Sequence, residues 1–169
     1  MNMPVSTPTS AQLTEAMIAY YGGDARRVLH FLAVYGFAKA IAEQEMLDDA
    51  VRELIEVAAL THDIGIKASI EKYGSYTASS QEEEGPHVAR PLLESLGYSP
   101  ELVDRVCYLI GHHHSYDSID GVDYQILVEA DFLVNIHGHS MEKESIAKIK
   151  CNIFRTAAGI RFLEKLYGV

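Results

Sequence analysis

The segment from residue 25 to residue 43 reads ARRVLHFLAVYGFAKAIAE and predicts a long helix that is packed on several sides. Asp24 precedes this segment as a candidate N-cap, because its side chain can accept hydrogen bonds from free amides of the first helical turn. The apolar residues cover too broad a face for a surface helix, and they lie at positions 28, 31, 32, 34, 37, 38 and 41. A helix with this pattern needs other helices around it.

Similar helical patterns recur along the rest of the chain and predict an all-α protein. Ser10 is a candidate N-cap for a first short helix that ends at Gly22 and Gly23. Further helices are expected at residues 48–62, 85–96, 100–114, 123–137 and 141–167. A break near residues 152–159 is expected to divide the last of them.

The sequence between residues 11 and 169 contains no strand-like alternation, internal repeat or linker. We therefore predict an all-α, single-domain helical bundle of about six to eight helices. Residues 1–10 are rich in proline, serine and threonine, and we expect a disordered lead-in there. Residues 64–84 lack clear periodicity and are expected to form a long functional loop.

The composition limits the classes of partner. The 169 residues include 14 basic and 24 acidic side chains, a net charge of −10, and 48% of them are hydrophobic. A nucleic acid polymer or an anionic membrane is therefore an unlikely target, because proteins that bind them rely on excess basic residues. Cys107 and Cys151 do not form a disulfide framework. We expect a cytoplasmic protein that acts on small molecules, and the sequence leaves its oligomeric state open.

Four titratable residues occupy positions where helical periodicity demands an apolar side chain: His30, His62, His113 and Asp131. A single buried histidine is usually a hydrogen-bonded packing residue. A buried carboxylate, however, must be neutralised, paired or bound to a cation. One metal centre would explain all four residues on four separate helices, so the pattern favours such a centre.

Asp63 directly follows His62 at the predicted end of a helix. Successive residues on a helix point about 100° apart, so both side chains reach one ion only where the helix ends. Gly65 provides that end, since glycine is favoured just beyond a helix. Asp63 is therefore a further candidate ligand, and its carboxylate could also bridge two ions.

These residues resemble the pattern of the HD superfamily of metal-dependent phosphohydrolases. That pattern has a histidine on one helix, a His-Asp doublet on the next and a distant aspartate, matched here by His30, His62, Asp63 and Asp131. The doublet stands in ALTHDIG (59–65) and the last aspartate in VEADFLVN (128–135). The likeness extends over roughly residues 24–137 and implies an HD-like helical fold.

The resemblance implies two more histidine ligands between the doublet and the last aspartate, as in many two-metal members. One would come from the run His112, His113 and His114. Helical phase favours His113, with His114 as the alternative, because His112 lies on the wetter side with Arg105 and Tyr108.

The other implied histidine ligand is His87. Its own helical row continues with Pro91 and Glu94 and looks solvent-facing, so Glu84 or Glu83 is the alternative oxygen ligand. Histidine and carboxylate ligands accept several ions. The expected cofactor is one or two divalent transition-metal ions, either Mn, Fe, Ni, Co or Zn, with Mg also allowed.

The resemblance implies hydrolysis of a small phosphate ester, a phosphomonoester or a nucleotide, by metal-bound hydroxide attacking phosphorus. Asp63 would be catalytic through the metal. Some relatives place a lysine where Ile66 stands here, so Lys67 is the nearest candidate for a catalytic or substrate-binding lysine. The other candidate contacts to the phosphate are Lys72, Arg90 and His112.

Two other functions remain open at this point. Some HD-like proteins with the same ligand set are di-iron oxygenases that act on small polar substrates. A regulatory module that binds metal without turnover is the third possibility, and the intact ligands argue against it.

Overall fold

The computed structural model describes residues 7–169, which form nine α-helices and one short 3₁₀-helix without any strand. In chain order they are α1 (Ser10–Tyr21), α2 (Ala25–Gln44), α3 (Asp49–Thr61), α4 (Gly65–Tyr73), α5 (Ala78–Leu96), α6 (Pro100–Ile110), the 3₁₀-helix (Tyr116–Ser118), α7 (Val122–Gly138), α8 (Lys143–Asn152) and α9 (Ala157–Tyr167). The predicted all-α, single-domain bundle is confirmed. Within the same residues, no helix is both long and apolar enough to cross a membrane.

The N-cap of the first helix lies one residue before the predicted one. Thr9 is the N-cap of α1, its side chain accepts from the amide of Gln12, and the Gln12 side chain accepts from the amide of Thr9. Ser10 is therefore the first helical residue, and its prediction as the cap is wrong. Most of the lead-in predicted for residues 1–10 lies outside the described residues.

Helix α2 lies at the centre of the bundle, as its broad apolar pattern predicts. It packs against α3 on one side and α7 on another, and also contacts α1 and α9. Phe31, Val34 and Ile41 are almost completely buried. The Asp24 side chain accepts a hydrogen bond from the amide of Arg27 at 3.2 Å, so the predicted cap of this helix is confirmed.

Residues 64–84 are mostly helical, so the predicted long loop is wrong. Helix α4 occupies the first part, and α5 begins at Ala78 rather than at residue 85. Gly74 ends α4 with a φ of 78°, a backbone conformation that glycine adopts without strain. Only a short turn, residues 74–77, separates the two helices.

Helices α4 and α5 cross in backbone contact where both carry a glycine. A Cβ atom on Gly65 would overlap the carbonyl oxygen of Gln81 and the backbone of Gly85. Only a residue without a side chain allows this approach. The crossing places the N-terminal part of α5 beside the turn that carries His62 and Asp63.

The later helices follow the predicted order. Helix α6 ends at Ile110, and hydrogen-bonded turns continue its course to residue 114. The segment predicted as 141–167 is divided into α8 and α9, and residues 153–156 lie within the expected break.

Candidate metal centre

The ring of His62 is held in one orientation by its own helix. Its Nδ1 lies 2.8 Å from the carbonyl oxygen of Ala59 and donates to it, because a carbonyl oxygen can only accept. His113 repeats this arrangement, with its Nδ1 2.9 Å from the carbonyl oxygen of Ile110. Both rings therefore turn Nε2 to the interior, and Nε2 is the nitrogen that can bind a metal ion once it is deprotonated.

Three side chains converge beside His62, and the four residues come from three parts of the fold. Nε2 of His30, on α2, lies 3.3 Å from Nε2 of His62. It also lies 3.3 Å from a carboxylate oxygen of Asp63 and 3.3 Å from one of Asp131, on α7. Nε2 of His62 is 3.5 Å from the same two oxygens. Ligand atoms that surround one ion at about 2.1 Å lie roughly 3.0–3.4 Å apart, so this cluster has the dimensions of a single-ion site.

Three side-chain atoms of this region lack hydrogen-bond partners among residues 7–169, and two of them are Oδ1 of Asp131 and Nε2 of His113. Both are buried, and a buried lone pair without a partner is costly. A carboxylate oxygen and an imidazole lone pair cannot satisfy each other, but a cation satisfies both. The donor set therefore fits a divalent metal ion.

A second potential metal site shares Asp63 with the first. One group of potential ligand atoms comes from His30, His62 and Asp63, and another from Asp63, His113 and His114, each within 4.8 Å. One carboxylate oxygen of Asp63 faces His30, while the other lies 3.6 Å from Nε2 of His113. This geometry suits a carboxylate that bridges two ions.

The charges in the centre shift the pKa values of its members. Burial alone would lower the pKa of His62, but the carboxylates of Asp63 and Asp131 outweigh it and raise that pKa to about 9. Burial would likewise raise the pKa of Asp63, yet the neighbouring imidazoles lower it to about 2. Burial, with His113 beside it, lowers the pKa of His114 to about 4. The two carboxylates thus remain ionised and attract a cation.

Helical phase separates the three consecutive histidines as predicted. His113 lies inside, and His112 turns away from the centre: its Nδ1 donates to the carbonyl oxygen of Tyr108 at 2.7 Å, and its ring stacks on the Tyr108 ring. The structure therefore places His112 outside the predicted substrate-binding site. His114 does reach the centre.

The structure does not bring His87 to the centre. His87 lies exposed on α5, on the solvent-facing row that its sequence neighbours indicated. The alternative ligand, Glu84, accepts hydrogen bonds from Lys72 and from the hydroxyl of Tyr73, and Glu83 is exposed. None of these three predicted or alternative ligands lies with the other candidates.

Gln81 lies where a side chain from α5 does reach the centre. It is buried, its amide nitrogen contacts Nε2 of His114, and its Oε1 has no partner within the described part of the chain. Gln81 heads a buried row that continues with Gly85, Ala89 and Leu93. The rule that singled out His62, extended from titratable to all polar side chains, would have found Gln81, but the predicted helix began at residue 85 and left this part of the row out.

The basic side chains that were predicted to contact a phosphate do not reach the metal centre. Nζ of Lys67 donates to the carbonyl oxygen of Tyr20 at 2.8 Å and lies over the Tyr20 ring. Arg90 pairs with Asp104 at 2.8 Å on the outside of the bundle. Lys67 is therefore not placed to be a catalytic residue, and neither side chain is placed to bind a substrate at the centre.

An open cleft of about 460 Å³ leads to the centre. Buried and half-buried side chains of the centre form its floor, and exposed residues together with the half-buried Arg27 form its mouth. The floor includes His30, Asp63, Gln81, His114 and Asp131, and the mouth includes Arg26, Arg27, Tyr76, His137 and His139. The two arginines were not among the predicted contacts.

Helix α1 supports the turn that carries Asp63. The hydroxyl of Tyr21 donates to the backbone carbonyl of Asp63 at 2.7 Å, and that of Tyr20 donates to the carbonyl of Ile64 at 3.1 Å. These bonds fix the backbone of the doublet without using the Asp63 carboxylate, which stays available to a metal.

A family model described as "HD domain" matches residues 27–154. The chain belongs to the HD domain family. HD domains bind divalent metals, and the His and Asp groups of this HD domain could hold one.

A crystal structure of a predicted HD superfamily hydrolase from an uncultured Thermotogales bacterium shares the fold of this HD domain. The TM-score is 0.63 at 24% identity, with 94% of this chain and 83% of that chain covered. None of the curated proteins matches this chain.

Proposed function

We propose that this HD domain is a metal-dependent hydrolase of a small phosphate ester. The observation that carries the proposal is the pair of potential metal sites sharing Asp63 at the floor of an open cleft. A site that is open on one side leaves positions on the metal for water and substrate. The description of the Thermotogales protein as a predicted hydrolase agrees with this proposal.

His30, His62, Asp63 and Asp131 would hold one ion, and Asp63, His113 and His114 a second. When bound, divalent ions supply a low-pKa water and polarise a phosphoryl oxygen. The carbonyl oxygens of Ala59 and Ile110 orient the rings of His62 and His113 before any metal arrives. This fixed orientation favours transition metals such as Mn, Fe, Co, Ni or Zn over Mg, which prefers oxygen ligands.

Metal analysis and phosphate release test the proposal together. Protein purified without chelator should contain at least one transition-metal ion per chain and release phosphate from a member of a panel of phosphomonoesters and nucleotides. Chelator should abolish the release, and added Mn or Co should restore it. Asp63→Ala should lose metal and activity, whereas Asp104→Ala, on the outside of α6, should keep both.

Three results would contradict the proposal in different ways. Phosphate release that persists after complete metal removal would exclude the metal mechanism. Two iron ions per chain with substrate-dependent oxygen consumption would replace it with a di-iron oxygenase. Full metal occupancy with no turnover on the whole panel would indicate a regulatory module.

A further inference from the structure

Two adjacent arginines at the mouth of the cleft lack acidic partners. Arg26 and Arg27 both line the cleft, and within residues 7–169 neither forms an ion pair with a carboxylate. Three other arginines pair with carboxylates: Arg52 with Asp49, Arg90 with Asp104, and Arg105 with Asp120 and Asp123. Arg155 and Arg161 donate instead to backbone carbonyls and to the Gln44 side chain. Arg26 and Arg27 differ from these in lining the cleft, where their charges are available to an external anion.

Arg27 is held in place by an aromatic ring rather than by a charge. Its guanidinium carbon lies 4.8 Å from the centroid of the Tyr76 ring, on the turn between α4 and α5. This cation–π contact orients the side chain but leaves its N–H groups available. A planar guanidinium binds phosphate or carboxylate through two parallel hydrogen bonds.

Neither arginine is paired with a carboxylate of the metal centre, although Arg27 is close enough to Asp63 to be affected by its charge. No oxygen of Asp63 or Asp131 lies within 4.0 Å of an Arg27 nitrogen in the described chain, and both arginines lie at the mouth rather than on the floor. A cleft of about 460 Å³ is within the size range of sites for whole organic ligands. A substrate that fills it reaches from the floor to the mouth.

We propose that Arg26 and Arg27 bind a second anionic group of the substrate, one that is not attacked. This inference rests on the proposed function and makes it more specific. The substrate is then a small phosphate ester with a further phosphate or carboxylate at its other end. The metal centre takes the phosphate to be hydrolysed, and the arginine pair takes the second anion and sets the orientation.

Matched substrates test the arginine pair with the metal-loaded protein at constant ionic strength. Fructose 1,6-bisphosphate is compared with fructose 6-phosphate, and 3-phosphoglycerate with glycerol 3-phosphate, so that the second anion is a phosphate or a carboxylate. The wild type should prefer the doubly anionic member of at least one pair by about 10-fold or more in kcat/KM, as expected for one or two charge-assisted hydrogen bonds. The pair that shows the preference identifies the second anion.

Arg27→Gln should raise KM for the doubly anionic substrate by about 10-fold or more and leave kcat nearly unchanged. Its effect on the singly anionic partner should be less than about 3-fold. Arg26→Gln should act in the same direction. Arg161→Gln, an exposed arginine on α9, is the matched control and should change neither substrate.

Equal losses on both members of a pair would overturn the inference, because the arginines would then serve the attacked phosphate. A wild type without preference for the second anion would overturn it as well. Either result leaves the proposed hydrolase function standing. If the wild type hydrolyses none of the four compounds, calorimetry with fructose 1,6-bisphosphate decides the inference: binding that Arg27→Gln weakens supports the arginine site, and equal or absent binding overturns it. The hydrolase proposal is decided separately, by the panel of phosphomonoesters and nucleotides.

Discussion

Two buried carboxylates lie two residues apart on α7, and the protein provides a full set of hydrogen-bond donors to only one of them. Glu129 is fully buried and accepts hydrogen bonds from the backbone amides of Arg155 and Thr156 and from the Gln125 side chain, at 2.6–2.9 Å. Oδ1 of Asp131 has no hydrogen-bond partner within residues 7–169. Burial of a charge therefore does not by itself indicate function. The carboxylate that lacks internal donors is the one placed to bind a cation.

The comparison predicts opposite consequences for the two carboxylates. Asp131→Asn should lower the affinity for Mn²⁺ by more than about 100-fold, since a metal ligand matters more than the partners that orient it. Phosphate release should fall with it. The metal-free variant should unfold at nearly the same temperature, because removing the buried charge offsets the loss of its attraction to His30 and His62.

Metal titration and thermal unfolding in EDTA measure the two effects on Asp131→Asn separately. An Asp131→Asn protein that binds Mn²⁺ as tightly as the wild type would refute the role assigned to this carboxylate. Glu129→Gln, on the same helix, is the control and should retain metal binding.

Glu129→Ala should lower the free energy of unfolding by about 2–4 kcal/mol, because several buried donors lose their acceptor. Two of those donors, the amides of Arg155 and Thr156, lie directly before α9, so that helix loses its attachment to α7. Urea unfolding in EDTA measures the loss, and metal bound per folded chain should not change.

Gly159→Ala is an independent probe of the same attachment, since an added Cβ would overlap Oε2 of Glu129. It should destabilise the protein without affecting the metal. Metal loss from either variant under folding conditions would mean that the two carboxylates are not functionally separate.

The sequence predicts well which side chains are buried, but it predicts poorly which groups they form hydrogen bonds with. Asp131 was singled out because it interrupts an apolar row, but Glu129 also lies on a buried row, with Ile126 and Leu133. Periodicity reports which side of a helix is buried. It does not report that the backbone amides of residues 155 and 156 arrive to satisfy Glu129, because that contact depends on the position of α9.

The same limit explains the predictions that differ from the structure. His87 was taken as a ligand from the resemblance, although its row indicated a solvent-facing side chain, and Gln81 was missed because α5 was begun too late. Lys67 follows the doublet closely in sequence, yet it turns to the carbonyl of Tyr20 on α1. Arg27 reaches the cleft because α2 starts at its mouth. These directions depend on how helices pack, which local patterns do not contain.

His113 and His112, in the turns that follow α6, offer a second comparison between a residue that faces the metal centre and a neighbour that does not. His113→Ala should lower metal affinity by at least about 10-fold and reduce activity, because its Nε2 faces Asp63 and has no other partner in the described residues. His112→Ala should leave metal content near that of the wild type, because its ring is stacked on Tyr108. Elemental analysis of both variants distinguishes them. The reverse pattern would show that the row of His112 is the inward one.

Asp63 shows the same contrast within one residue. Its backbone carbonyl accepts a hydrogen bond from the protein, whereas its carboxylate is available to a metal ion. The Tyr21 hydroxyl that satisfies the backbone carbonyl lies on α1, outside the matched HD region 27–154. Tyr21→Phe removes this hydrogen bond, worth about 1 kcal/mol, and keeps the ring in its buried place. The freed turn should hold the Asp63 carboxylate less well.

We therefore expect Tyr21→Phe to weaken Mn²⁺ binding by about 5-fold, the change that 1 kcal/mol produces in an equilibrium constant. Tyr35→Phe is the matched control, because it loses a hydroxyl contact to Glu56 at 3.2 Å away from the metal centre. The Mn²⁺ titration separates the two variants, and thermal unfolding in EDTA checks that both are folded. If the two variants bind Mn²⁺ equally well, α1 stabilises the fold without positioning Asp63, and the backbone and the side chain of that residue act independently.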